Sequence, residues 1–371
     1  MTQIIIIGGG ISGLISSIRL SMEGIKVLLI EKKDYPFHRV CGEYISNEAV
    51  QYLKSIDAFP KELNPSHIDK LLISSASGKL IEQKLGLGGF GISRYAFDDF
   101  LYKRSLAAGT EFKLKTAVTD LTYANNAFRL KLSDNTEEEA EMVIGSYGKR
   151  ANLDRRLNRD FFYKRSPFMG VKYHIKLPDY PKNLISLHNF QNGYCGIAPI
   201  EENKLCLCYL TGREHMEGKS SIREMEEEVL FSNPYLKEAF AQAEFLYEKP
   251  EVINEISFKT KAPVEGHLLM AGDSAGMISP LCGNGMAIAV HASKIVSELL
   301  ILYFNKKLSR EELEDLYVMK WQEAFSHRLL RGRILQNLLK QPFLTDLFMG
   351  LIKAIPFAPA QVIKMTHGKP F

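Results

Sequence analysis

QIIIIGGGISGLISSIRLSMEGIKVLLIE, residues 3–31, carries four structural signals in one short run. Gln3–Ile7 is β-branched and reads as a strand. The glycines Gly8, Gly10 and Gly13 follow at once, Leu14–Glu23 has helical spacing, and Gly24 breaks it before a second apolar strand, Ile25–Ile30. Glu31 ends that strand, 18 residues past Gly13. This is a strand–turn–helix–strand unit with G-x-G-x-x-G at the turn and an acid at the far strand end, the pattern of a dinucleotide site. Gly8 permits the tight turn, Gly10 lets the backbone approach a pyrophosphate, and Gly13 lets helix and strand pack closely. The helix N-terminus offers unpaired N–H groups and partial positive charge to the phosphates. Glu31 is placed to accept hydrogen bonds from an adenosine ribose.

A second informative run lies about 260 residues later. Leu268–Ala271 reads as a strand, Gly272-Asp273 ends it, and Pro280-Leu-Cys-Gly283-Asn284-Gly285 opens a helix over Met286–Leu300. A carboxylate at a strand end suits a polyol, and a glycine-flanked helix start suits a polarised oxygen. A flavin presents both, as ribityl hydroxyls and as a ring that gains negative charge on reduction. One ligand spanning both turns is therefore expected to be FAD.

Between them, Arg39-Val40-Cys41-Gly42-Glu43 places a basic side chain near the phosphates and a glycine where backbone can approach the cofactor ring. Cys41 has no second cysteine within six residues, which argues against a dithiol flavoprotein. Gly86–Gly91 reads as a glycine-rich connection, and Tyr95–Ala108 as an amphipathic helix after Arg94. From Pro167 to Gly212 the pattern changes to period two, with strands expected over Gly170–Ile175, Leu184–Asn189, Gly193–Pro199 and Lys204–Leu210. That sheet is the expected substrate domain. The chain from Arg310 on reads as helical. Its apolar segment Phe343–Pro359, interrupted by Asp346, Lys353 and Pro356, is expected to pack on the body, with peripheral membrane contact through these C-terminal helices as the alternative.

Bulk properties exclude several classes. A formal charge of +4 on 371 residues makes no case for nucleic acid. The Ile4–Ile7 run enters the glycine turn rather than a cleavage site, so no signal peptide is expected, and no run reaches about 18 uncharged apolar residues. Five scattered cysteines suit a reducing, cytoplasmic setting. Cys206 and Cys208 lack the partners of a metal site, so packing and no structural metal are expected. Neither Ser-His-Asp nor paired-carboxylate arrangements stand out for hydrolysis.

Taken together, Gly8–Gly13 with Glu31, R-x-C-G-E at Arg39–Glu43, Arg94 with Phe97-Asp98 and Leu101, and Gly272-Asp273-Ser274-Ala275-Gly276 with Pro280 and Gly283-x-Gly285 resemble the FAD-dependent superfamily of aromatic-ring hydroxylases, flavin halogenases and geranylgeranyl reductases. The geranylgeranyl-reductase-like branch is the nearest in style. The closing Thr366-His367-Gly368-Lys369 also resembles chain ends there. The resemblance implies an α/β fold: a Rossmann-like FAD-binding domain with a mixed, para-hydroxybenzoate-hydroxylase-like sheet, an inserted antiparallel β-sheet substrate domain and a helical C-terminus. The expected divisions are 1–70, 92–160 and 262–305 for FAD, 71–91 and 161–261 for substrate, and 306–371 for the helical region.

It further implies that Gly8, Gly10, Ser12 and Gly13 meet the pyrophosphate and that Glu31 meets the ribose. Arg39 and Arg94 would lie near the phosphates. Lys32 and Val118 would also contact the cofactor, Asp273 with Gly272 would hold its ribityl or pyrophosphate part, and Cys41, Gly42, Pro280, Gly283, Asn284 and Gly285 would border the ring. Cys41 is the one candidate catalytic residue. Departures carry information too. Tyr147-Gly148 stands where hydroxylases have Asp-Gly, and Arg155 stands near the place of the arginine that follows. Tyr194-Cys-Gly-Ile-Ala-Pro199 stands where the reductases have Y-x-W-x-F-P, and the single Trp321 disfavours halogenation. The expected activity is oxidation or reduction of a hydrophobic small molecule: first an NAD(P)H-dependent monooxygenase, second a C=C reductase of a prenyl or lipid chain, and last a non-catalytic flavin sensor.

Overall fold

The isoleucines Ile4, Ile5 and Ile6 are wholly buried because their strand has a layer on each face. In the computed structural model, which describes residues 2–338, 340–355 and 358–371, strand Thr2–Ile7 lies between Val27–Ile30 and Glu137–Gly145, parallel to both. Glu111–Lys113 extends the sheet on one side, Leu268–Met270 and Val264–Glu265 on the other. A hairpin, Val118–Ala124 with Ala127–Leu132, joins the edge of Glu137–Gly145. The helix Ile11–Met22 packs between Arg94–Ala107 and Gly285–Phe304. Small hydroxyl residues allow that closeness: Ser12 and Ser293 are joined at 2.9 Å, Ser17 and Ser105 at 2.6 Å.

The second sheet runs Glu244–Phe245, Phe168–Lys176, Leu205–Gly212, Gly193–Pro199, Leu184–Phe190, Ser66–Ser74, Leu80–Gly91, Tyr44–Ser46, with Glu251–Ile256 beside Phe168–Lys176. Its pairings are antiparallel except that Leu184–Phe190 runs parallel to Ser66–Ser74. Those two strands are more than a hundred residues apart in sequence and reach the sheet from separate excursions, so no hairpin dictates their direction.

Gly86–Gly91 is not a free connection but the end of a strand. Gly89 and Gly91 are there for close approach: a Cβ on Gly89 would fall 2.4 Å from the Tyr44 ring, and one on Gly91 would fall 1.8 Å from the Pro199 carbonyl oxygen. Period-two reasoning sees only a break in side-chain alternation at such a place.

The C-terminal helices cover both sheets. Helix Arg310–Leu338 buries Leu313, Tyr317, Trp321 and Phe325, four residues apart each time. Tyr317 donates to the Met270 carbonyl (2.5 Å), and Trp321 lies over Gly276, where a Cβ would be 3.1 Å away. Helices Pro342–Ala354 and Ala358–Thr366 follow. Helix Gly285–Phe304 has the length and composition to cross a membrane, at mean hydropathy 1.6, but most of it is buried between the first helix and Arg310–Leu338.

Candidate flavin and substrate site

A cavity of about 900 Å³ lies between the sheets. One end is the glycine turn. Gly8 has φ +101°, and a Cβ there would lie 2.6 Å from the Ser146 carbonyl oxygen. The Ser146 hydroxyl donates to the Gly8 carbonyl at 2.7 Å. Gly13 does not line the cavity. It sits where a Cβ would be 2.1 Å from the Gly8 carbonyl oxygen, so its part is to let helix and strand pack. Glu31 is buried and accepts from the Gly9 N–H (2.8 Å) and the Lys33 N–H (3.0 Å), which fixes the turn against the second strand.

Two arginines are then held by one buried acid. Asp98 accepts from Arg94 at 2.7 Å through each oxygen and from Arg39 Nε at 3.0 Å; Arg39 also donates to the Gly9 carbonyl at 3.2 Å. Tyr35 lies over the same carbonyl, its hydroxyl donating at 2.6 Å. Lys32, Thr116, Ala117 and Val118 border this end.

Across the cavity, Asp273 stands at the end of strand Leu268–Met270. Its carboxylate makes no hydrogen bond among the described residues, and burial raises its pKa. Lys261 donates to the Asp273 and Lys149 carbonyls, each at 2.7 Å. Desolvation brings the Lys149 and Lys261 ammonium groups down to about 8. Gly272, Gly283 and Gly285 line this wall, while Asn284 is buried just behind it. Pro280 opens a short turn whose lead side chain lies outside the described set. Cys41 and Gly42 face the same space, and burial pushes the Cys41 thiol above its ordinary value.

The loop bearing Cys41 is clamped from behind. Glu43 has φ +55° and a fully buried side chain. It accepts from Lys172 at 2.5 Å, pairs with His174 at 2.6 Å and accepts from the Arg94 N–H at 2.8 Å. Tyr247 joins His174 to His38 at 2.6 and 3.0 Å. Burial alone would raise the Glu43 carboxyl, but the Lys172 ammonium and the His174 bond outweigh it and hold the group at about 2. Glu43, His174 and Cys206 are close enough to share an ion. The Lys172 ammonium already neutralises the carboxylate, which makes a cation unfavourable there.

The other half of the cavity is mostly apolar, with Gln83 and Asn189 as polar members of its sheet rows. Leu71 and Ile73, Ile81 and Leu85, Ile185 and Leu187, Tyr194, Gly196 and Ala198 all line it. Their even spacing puts them on one face of the second sheet. Phe348, Met349 and Ile352 from helix Pro342–Ala354, with Val362 and Ile363 from the last helix, close the far wall.

The residues fit a flavin dinucleotide on structural grounds. Helix Ile11–Met22 starts at Gly10 with no side-chain cap, so the N–H groups of its first turn await an acceptor. A Cβ on Gly10 would meet nothing closer than 3.8 Å, and one on Gly42 nothing within 4 Å, which leaves both backbones open to the cavity. Asp273 lines the cavity with no hydrogen-bond partner for its carboxylate among the described residues, so it is free to accept from the hydroxyls of a polyol.

Sequence reasoning missed several members of the site. In the sequence Asp98 stands out only as part of a motif, and Tyr35 and Lys172 do not stand out, since each acts through a partner distant in the chain. Arg155 is exposed; the buried arginine is Arg159, which donates to Asp154 (3.0 Å) and the Ser274 carbonyl (3.0 Å) and braces the Asp273 turn.

Fold and donor set together define an FAD-dependent oxidoreductase. The chain belongs to the family described as the FAD binding domain, whose profile matches residues 1–318. It is 26% identical over 355 residues to digeranylgeranylglycerophospholipid reductase of Methanosarcina acetivorans, covering 90% of this chain and 84% of that one. It is 24% identical to conditioned medium factor receptor 1 of Dictyostelium discoideum, covering 94% and 72%. Among solved structures, a flavin-dependent brominase superposes with TM-score 0.79 at 18% identity, covering 98% of this chain and 93% of that one. A geranylgeranyl bacteriochlorophyll reductase-like protein from Thermoplasma acidophilum superposes with TM-score 0.76 at 16% identity, covering 98% and 96%. These structural likenesses bear on the fold.

Proposed function

We propose that this protein is an FAD-dependent C=C reductase acting on a long isoprenoid or lipid chain, with NAD(P)H as electron donor. The observation that carries this reading is the apolar half of the cavity. It continues the flavin space along a face of the second sheet. Gly196 and Ala198 stand there in place of the two large aromatics of the reductase motif, so the pocket differs in shape from that motif's. The R-x-C-G-E run at Arg39–Glu43 is what favours reduction. The named activity of the Methanosarcina relative supports the same substrate class. Pyrophosphate binding falls to Gly8, Gly10 and Ser12 with Arg39 and Arg94, ribose binding to Glu31, and ribityl binding to Asp273. The bound FAD supplies the two-electron redox chemistry.

The chain's own work is to hold the alkene against the ring, exclude water and deliver a proton. Cys41 is the donor best placed. It lines the cavity beside Gly42, and burial raises its pKa, so it stands there as S–H rather than as an attacking thiolate. The Cys41→Ser variant should keep its yellow colour and lose about a hundredfold or more in turnover, read as saturated product. Monooxygenation is the competing chemistry. Anaerobic incubation with NAD(P)H and a prenylated glycerolipid should give product that has gained two hydrogens per reduced double bond. Substrate-dependent oxygen uptake, with one oxygen atom added to the product, would replace the reductase reading with the hydroxylase one.

A further inference from the structure

Helix Pro342–Ala354 is apolar on two opposite faces. Inward, Thr345, Met349 and Ile352 are buried and Phe348 lines the cavity. Outward, Phe343, Leu347 and Leu351, four residues apart, are 76%, 52% and 56% exposed, and Ile355 continues the row at 57%. A surface helix on a soluble body ordinarily turns a polar face to water. Of fourteen exposed large hydrophobic residues among the described ones, six fall in residues 330–355, with Leu330 and Ile334 on the preceding helix. Scattered single residues would need no explanation; a row along one helix does.

Charge indicates what covers it. Of the chain's 47 Lys and Arg, seven lie in residues 324–371, against one of its 43 Asp and Glu. By sequence this segment therefore has a surplus of six, more than the +4 of the whole chain, and five of these are left once Arg328, buried and paired with Glu48 at 2.8 Å, is set aside. Lys353, Lys364 and Lys369 are exposed there. The single acid, Asp346, is turned to the protein, where Ser77 donates to it at 2.8 Å. A second copy of the chain would bring the same positive charge against this face, which opposes self-association.

We infer that the outer face of helix Pro342–Ala354 docks on a bilayer bearing anionic headgroups, its exposed row entering the headgroup boundary with Lys353 exposed on the same helix. The helix that touches the bilayer also walls the apolar arm, so a lipid chain has a short route from membrane to cavity. This last step rests on the lipid reading of the site; the docking does not.

Co-sedimentation of the FAD-loaded protein with vesicles tests it. The protein should pellet with phosphatidylcholine–phosphatidylglycerol vesicles, less with phosphatidylcholine alone, and less again in high salt. The double variant Leu347→Glu/Leu351→Glu should stay in the supernatant with flavin absorbance and elution volume unchanged; neither residue lines the cavity. Lys353→Ala should weaken anionic binding about fivefold. Wild-type protein left in the supernatant, or a double variant that pellets equally, overturns the proposal. So does a wild-type dimer that the double variant converts to monomer, since the face is then an interface between copies. Vesicle binding without saturated product would instead overturn the reductase reading and leave the docking standing.

Discussion

A Gly10→Ala variant is expected to fold normally and to lose its flavin. The added methyl would meet nothing nearer than the Arg94 guanidinium at 3.8 Å, and Gly10 has φ −83°, which alanine adopts freely. The protein alone therefore loses only the small difference between Gly and Ala at a helix start, about 1 kcal/mol at most. The methyl stands, however, where a pyrophosphate must approach the uncapped first turn. A fall of about a hundredfold or more in FAD affinity, about 2.7 kcal/mol, is the expected outcome. Gly13→Ala should behave in the opposite way. Its Cβ would be 2.1 Å from the Gly8 carbonyl oxygen and 2.7 Å from Ser146 Oγ, so helix and strand must move apart whether or not flavin is present. Overpacking of this kind costs about 1–3 kcal/mol and should appear as a lowered Tm of the flavin-free protein. Flavin fluorescence titration and thermal unfolding of both variants check the pair. A Gly10→Ala protein that purifies yellow and fully loaded would contradict this account of the turn.

The contrast between the two glycines shows what sequence can carry. Gly8–Glu31 was legible because turn, helix and acid are local, and the backbone rules that require them act within 30 residues. The Gly272–Gly285 run was legible for the same reason, and the two together imply one ligand reaching across both. Asp98 could not be read in this way. Its two arginines are four and 59 residues away, and nothing in an amphipathic helix marks one buried acid as the holder of both. Lys172 and His174 sit in a strand whose alternation reads as ordinary, yet Lys172 is fully buried. Burial of a charge is decided by what the opposite domain brings, here a glutamate 129 residues earlier. Gly86–Gly91 went the other way: a local signal for flexibility is overridden by neighbours that need the missing Cβ atoms.

That buried pair is where a single change should cost the most stability. Glu43→Gln preserves shape while removing the charge that compensates Lys172, whose side chain is 0% exposed, as is that of Glu43. An ammonium left unpaired in such a place costs about 3–5 kcal/mol, and a chain of ordinary stability has only about 5–15 kcal/mol in all. The loop Arg39–Glu43 should loosen with it, because Lys172 also donates to the Arg39 carbonyl at 3.2 Å. Adding Lys172→Met to Glu43→Gln should restore much of the loss, since an apolar side chain leaves no charge to compensate; chemical denaturation of the two single variants and the double closes the cycle. The pH dependence has a definite sign. The Glu43 carboxyl lies near 2 in the folded protein, below its ordinary value of 4.5. Its contribution is therefore complete above about pH 4.5 and is lost as pH falls from there toward 2. Wild-type stability should drop through that window, and Glu43→Gln should drop less steeply. Equal slopes for the two proteins, or a double variant no more stable than Glu43→Gln, would mean that this clamp does not hold the loop that carries Cys41.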